Sequence, residues 1–195
     1  IPKRMRWSSS KEEFVRPVQW GVLLFNDKTC HETVLGVTTS NVSQGHRFHG
    51  TGDITICSPD SYEQQLHDNF VIANFAKRRE LIEDGVKLLA SEGGGIAVID
   101  PSLLDEVTAL NEWPVPLMGC FDEAFLAVPS EALVSSMKEH QKYFHLIDEQ
   151  SNLMAAFITV ANIVSKKPQE GIQGNEPVIR PRLADAAFCY ENDAR

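Results

Sequence analysis

This sequence is short of thiols, of long apolar stretches and of positive charge. Its 195 residues include 4 cysteines, at positions 30, 57, 120 and 189, with no Cys-x-x-Cys pair. That spacing speaks against a paired-cysteine zinc site and against a disulfide-stapled secreted scaffold, and it predicts free thiols. The main apolar stretch, Met154–Val164, runs 11 residues and is interrupted by Thr159 and Asn162. A helix across a bilayer needs about 20, so no membrane partner is expected. The start, Ile-Pro-Lys-Arg-Met-Arg-Trp, has neither an initiator Met nor a signal-peptide pattern. Tyr190 to Arg195 closes a helical pattern without a Gly or Pro stop, so both ends read as cuts within a longer chain. There is no Gly-x-Ser-x-Gly elbow, and Gly93-Gly94-Gly95 lacks the Lys-Ser/Thr of a phosphate loop.

What is present is an ordinary globular balance, with 43% hydrophobic and 23% charged residues, enough to bury a core, in a length that suits one domain and part of a second. The 18 Lys and Arg against 27 Asp and Glu leave a net charge of -9, which argues against indiscriminate nucleic-acid affinity. The charge is unevenly placed. Residues 1–20 carry Lys3, Arg4, Arg6, Lys11 and Arg16 against Glu12 and Glu13, a net of +3. Residues 21–162 hold 8 basic and 20 acidic side chains, and residues 163–195 hold 5 of each.

Along the chain, Val18–Phe25 and Glu32–Thr39 are two β-rich runs joined by a turn signal, which predicts an antiparallel pair. Gln44–Gly52 reads as a glycine-bounded loop and Asp53–Cys57 as a short strand. Helices are predicted from Ser58, from Asn74 to about Ser91 with Leu81, Ile82, Val86 and Leu89 on one face, from Pro101 to Asn111, and from Pro129 to about Lys142. Ile96–Ile99, Val115–Cys120 and Phe125–Val128 read as extended. Tyr143–Ile147 and Leu153–Asn162 form a second hairpin pattern. Ser165–Gly174 is the linker candidate, and a last helix begins at Pro181. The order of elements predicts an α+β fold with largely antiparallel or mixed sheets packed with helices: a core domain over residues 1–165, then a linker and C-terminal helix over residues 166–195 leading toward a further domain.

Several side chains carry possible chemistry. His46-x-x-His49 with Cys57, and the dyad His67-Asp68, could be imagined as metal or phosphohydrolase sites, but neither has a second ligand pair, and ordinary loop and surface roles account for them. Lys138 and Lys142, with His140, Gln141 and Tyr143, gather at a predicted helix C-terminus, where they either contact phosphate or complement the helix dipole. The basic start mixes Lys3, Arg4, Arg6 and Arg16 with Trp7 and Trp20, a combination suited to gripping phosphates and stacking on unpaired bases, or to a solvated terminus. Arg180 and Arg182 bracket Pro181 and need partners, either Glu176 and Asp185 or an external anion.

Longer strings carry a resemblance. Gly174-Asn175-Glu176-Pro177-Val178-Ile179-Arg180-Pro181-Arg182-Leu183-Ala184-Asp185-Ala186-Ala187-Phe188, Val128–Leu133 and Met137–Phe144 resemble the β subunit of bacterial heterotetrameric glycyl-tRNA synthetase. So do Met5-Arg6-Trp7, Phe14–Pro17, Gly45-His46-Arg47-Phe48, Glu112-Trp113-Pro114 and Phe157 with Val160-Ala161-Asn162, in the family's order over essentially the whole chain. Departures are Cys189, where an aromatic is common, and Pro177, where a basic residue is common.

The resemblance implies an internal segment of a longer cytoplasmic subunit. In that family glycine and ATP bind, and glycyl-adenylate forms, on the α subunit, while β supplies tRNA recognition. The segment is accordingly expected to hold no catalytic residue, metal or cofactor, with ATP and Mg belonging to the α subunit. Its expected partners are glycine tRNA, the α subunit and the rest of β. The resemblance makes Arg6, Arg16, Arg47, Lys138, Lys142, Arg180 and Arg182 the candidate tRNA contacts. It also leaves open an architectural module between domains or subunits, or a vestigial hydrolytic domain similar to the editing-type domain of the phenylalanyl-tRNA synthetase β subunit.

Overall fold

The computed structural model describes residues 3–9, 11–162 and 183–184, and the chain divides into two compact units, Ile1–Ala73 and Asn74–Arg195. The expected boundary near residue 165, the linker and the start of the last helix at Pro181 lie outside the described residues.

The first unit is a series of very short antiparallel hairpins. Strands β1 (Met5–Arg6) and β2 (Glu13–Phe14) pair, as do β3 (Leu24–Phe25) with β4 (Lys28–Thr29), β5 (Thr33–Val34) with β6 (Val37–Thr38), and β7 (Val42–Gln44) with β8 (Asp53–Thr55). The antiparallel pairing expected between the two runs around residues 18–39 does not form. The end of the first run instead pairs with Lys28–Thr29, the second run folds on itself, and the two meet through a parallel bridge between Val22 and Ser40. The cause is local: Asn26 takes a left-handed turn at φ 50°, and Leu35-Gly36 takes φ 51° and 79°, the double-positive geometry of a two-residue hairpin. Buried Thr39 ties the runs, its hydroxyl donating to the Cys30 carbonyl at 2.8 Å and accepting from the Glu32 amide at 2.9 Å. A 3-10 turn, Pro59–Ser61, with Ser58 and Ser61 forming a reciprocal cap, leads into α1 (Tyr62–His67). Among the described residues the buried cluster here is Ile54, Ile56 and Leu66.

The second unit is built on a four-stranded antiparallel sheet in the order β10-β12-β11-β9, where β9 is Ile96–Ala97, β10 Val115–Cys120, β11 Phe144–Ile147 and β12 Leu153–Ala161. Successive residues on a strand point to opposite faces, so both faces of the central strands are apolar. Phe144, Leu146, Ala156 and Ile158 pack against Ile82, Val86 and Ala90 of α2 (Phe75–Glu92) and Leu103, Leu104 and Val107 of α3 (Pro101–Leu110). Phe157 and Tyr143 instead join Val128, Leu133, Met137 and Leu183. Helix α2 is capped by the Asn74 side chain and ends at Gly93, and α3 is capped by Asp100 with Pro101 in its first turn.

Three expectations in this unit change. Leu81 is 52% exposed, because the inward line of α2 follows i, i+4 steps through Ile82, Val86 and Ala90. Phe125–Val128 is not a strand: Asp122 accepts from the Ala124 amide at 2.9 Å and starts a 3-10 helix over Glu123–Ala127. The helix from Pro129 runs as α4 (Ser130–Ser135) into a π-helical turn, Ser136–Gln141, and ends at Lys142 in the left-handed conformation. The α+β class holds, with the sheet covered by helices. Among the described residues no helix is long and apolar enough to cross a membrane.

Candidate nucleic-acid interface

Five of the seven sequence-selected cations fall within the described residues; Arg180 and Arg182 lie outside them. The structure sorts the five into two groups. Lys138 sits on the wide π-helical turn and Lys142 caps its end, and both pair with acids at the start of or along α3. Lys138 Nζ donates to Asp100 Oδ2 at 2.7 Å, and Lys142 Nζ lies 2.9 Å from Glu106 Oε2. Asp100 also accepts from the Ser102 hydroxyl and from the Ser102 and Leu103 amides, and the Lys138 ammonium, the Ser102 hydroxyl and the Leu103 amide hold its carboxyl well below the usual carboxylate range. The same engagement runs through the unit: Arg79 binds Asp105 and Glu83, Lys87 binds Glu83, and Arg78 donates to the Thr108 carbonyl while lying over the Phe75 ring.

Arg6, Arg16 and Arg47 are exposed on the first unit, together with Lys3, Arg4, Lys11 and Lys28. Arg4 makes a long 3.8 Å ion pair with Glu13 across the β1–β2 hairpin, and the Arg47 guanidinium lies over the Phe48 ring, 5.7 Å from its centroid. Trp7 is half-buried and Trp20 is 45% exposed. Unit by unit, residues 1–73 hold 7 Lys and Arg against 8 Asp and Glu, a net of -1, whereas residues 74–195 hold 11 against 19, a net of -8. The acidic excess of the chain therefore resides in the second unit.

Arg47 stands in the loop between β7 and β8, and that loop is tightly built. The Gly50 amide donates to the His46 carbonyl at 2.7 Å, and the His46 amide donates to the Asn69 carbonyl at 2.9 Å. The Asn69 side chain accepts from the Thr51 hydroxyl at 2.8 Å and donates to the Gln65 carbonyl at 2.9 Å. A Cβ on Gly50 would lie 2.7 Å from the His46 carbonyl oxygen, and one on Gly45 2.9 Å from the Asn69 Cβ, so this close approach needs glycine at both ends. His46 is buried, its ring 5.3 Å from that of His49, which lies 5.5 Å from Phe70. The two histidines are thus the base of the loop. Among the described residues no group of three or more His, Cys, Asp and Glu could hold a metal ion.

Sequence reasoning missed Asn69, which no motif flags, and Phe48, which stands only as the end of Gly45-His46-Arg47-Phe48. It also missed His145. That imidazole lies in an open groove of about 670 Å³ with Val128, Ser130, Ile147 and Asn152, and its pKa is lowered by burial and by nearby Lys138.

Comparison with known proteins assigns the class first: this is a segment of an aminoacyl-tRNA synthetase subunit. The family described as glycyl-tRNA synthetase beta subunit matches residues 1–195, and the chain belongs to that family. It is 57% identical to the glycine–tRNA ligase beta subunit of Marinobacter nauticus, over all of this chain and 28% of that protein. The corresponding subunits of Stutzerimonas stutzeri and Pseudomonas putida are 53% and 50% identical, again over all of this chain and 28% and 29% of theirs. The chain therefore spans under a third of the relatives it matches.

Proposed function

We propose that this segment helps position glycine tRNA for ATP-dependent glycine attachment on a partner α subunit, and that its RNA-facing side is the first unit. One observation carries the proposal: Arg6, Arg16 and Arg47 are exposed on a unit of nearly balanced charge, whereas the acidic excess of the chain lies in the second unit, where the described Arg79, Lys87, Lys138 and Lys142 bind neighbouring acids. Phosphate contacts of this kind fix register rather than read sequence. The segment supplies no cofactor chemistry; ATP and Mg belong to the α subunit. The relatives are named for the ligase reaction, which agrees with this role.

The test is charge reversal of Arg6 and Arg16 in the full-length subunit assembled with its α subunit. The tRNA KM should rise, and the salt slope of binding should fall by about 1 per lost phosphate contact, with glycyl-adenylate formation unchanged. Unchanged charging kinetics would remove the proposal. A second reading, an architectural module, is favoured for Lys138 and Lys142, whose ion pairs hold the π-helical turn on α3. Reversing those two should lower the melting temperature and leave the tRNA KM of the folded enzyme alone.

A further inference from the structure

We infer that Phe48, at the tip of the Gly45–Gly50 loop, is a stacking plate for one unpaired base of an RNA strand, with Arg47, whose guanidinium lies over the ring, as the partner of that nucleotide's phosphate. The inference rests on the reading above that RNA meets the first unit, and it names a residue and a contact that reading does not.

Phe48 is 71% exposed, the highest value among the exposed large hydrophobic side chains described. A ring left in water is common on surfaces and by itself says nothing. What sets this one apart is its mounting. The loop that carries it is closed on both sides by glycines with no room for a Cβ, pinned through Asn69, and anchored inward by buried His46. The Phe48 amide is itself held, donating to His46 Nδ1 at 3.3 Å. Such a tip loses little chain entropy on binding, because its backbone is already ordered.

The surroundings select the occupant. A protein-docking hot spot is ringed by further apolar contacts that exclude water. Here Gln44, Arg47, Thr51, Gly52 and Asp53, the exposed neighbours in sequence, are polar or lack a side chain. The Arg47 guanidinium lies over the ring, 5.7 Å from its centroid, so one face carries a cation while the 71% exposed ring keeps surface for a base, and the cation is at hand for that nucleotide's phosphate. Stacking of this sort is tolerant of base identity, so the site would register an unpaired nucleotide rather than a particular letter.

The experiment compares Phe48→Ala, Phe48→Trp and Arg16→Glu in the full-length subunit assembled with its α subunit, using equilibrium binding of glycine tRNA. Removing the ring should weaken binding about tenfold and Phe48→Trp should keep it within about twofold. Photo-crosslinking of thiouridine-substituted tRNA should label residues 45–50. If Phe48→Ala binds normally while Arg16→Glu binds weakly, the stacking inference fails and the proposed function survives. If both bind normally, both fail. If Phe48→Ala keeps RNA affinity but loses the α subunit, the tip is a protein contact and the inference is overturned.

Discussion

Lys138 reaches across to Asp100 at 2.7 Å, so one carboxylate both caps α3 and holds the π-helical turn that precedes β11. Its depressed pKa has a direct sign in stability. The unfolded chain takes up the proton first, near the ordinary aspartate value of about 3.9, so this contribution is complete above that pH and is lost as pH falls through the folded value. Asp148, depressed by the Asn152 side chain and amide, acts the same way. Asp100→Asn keeps a cap acceptor but not the charge. Thermal melts from pH 2 to 7 should show a lower plateau and a shallower acid limb for the variant, with the remaining slope reduced further by Asp148→Asn.

His145 titrates with the opposite chemistry and the same direction. Burial and Lys138 disfavour its protonated form, so the unfolded chain gains a proton near pH 6.5 before the folded one does. Stability from the neutral imidazole is present above that pH and declines below it. His145→Gln should flatten the melting profile just below pH 6.5, and NMR titration of the wild-type ring should give a midpoint below 6.5. A midpoint at or above it would refute the account.

Gly119 faces Phe157 across β10 and β12, and a Cβ there would lie 2.5 Å from the Phe157 ring tip. Phe157 is fully buried and stacked on Tyr143 at 4.6 Å. Phe157→Ala should cost about 3–5 kcal/mol by cavity formation. Gly119→Ala should cost about 1–3 kcal/mol by overpacking. Because the two share one space, the double variant should be less destabilised than the sum, measured by denaturant unfolding.

Asn69 fixes the β7–β8 loop through four hydrogen bonds to Gln65, His46 and Thr51. Asn69→Ala removes the side-chain share, about 1–2 kcal/mol of local stability. Faster hydrogen exchange at the Gly50 and Thr51 amides should follow, with α2 unaffected. Unchanged exchange would show that the glycine packing alone holds the loop.

The elements legible beforehand were those that local rules dictate. Asn74 and Asp100 announce their helices as caps, Gly93 marks a stop, and Asp148–Asn152 turns the β11–β12 hairpin. Elements decided by competition between neighbours were not legible. The runs around Val22 and Thr38 have the composition of one hairpin, but the left-handed turns at Asn26 and Leu35-Gly36 close two shorter hairpins first. Phe125–Val128 looks extended by composition, and the Asp122 side chain makes it a 3-10 helix. The family resemblance was readable because its strings are long, and it holds over residues 1–195. The division among the basic residues was not, since ion pairs such as Lys142 with Glu106 join positions far apart in the chain.

The slender core of the first unit has a consequence for the order in which the chain comes apart. Three buried side chains, Ile54, Ile56 and Leu66, support it, against clusters of ten and six in the second unit among the described residues. The described part of this unit is therefore expected to open first, below the free energy of global unfolding. A ligand held only by the closed form protects that form by mass action. Bound RNA on this unit would thus be visible as slowed native-state proteolysis within residues 1–73, at a protease concentration that leaves the sheet of the second unit uncut with or without it.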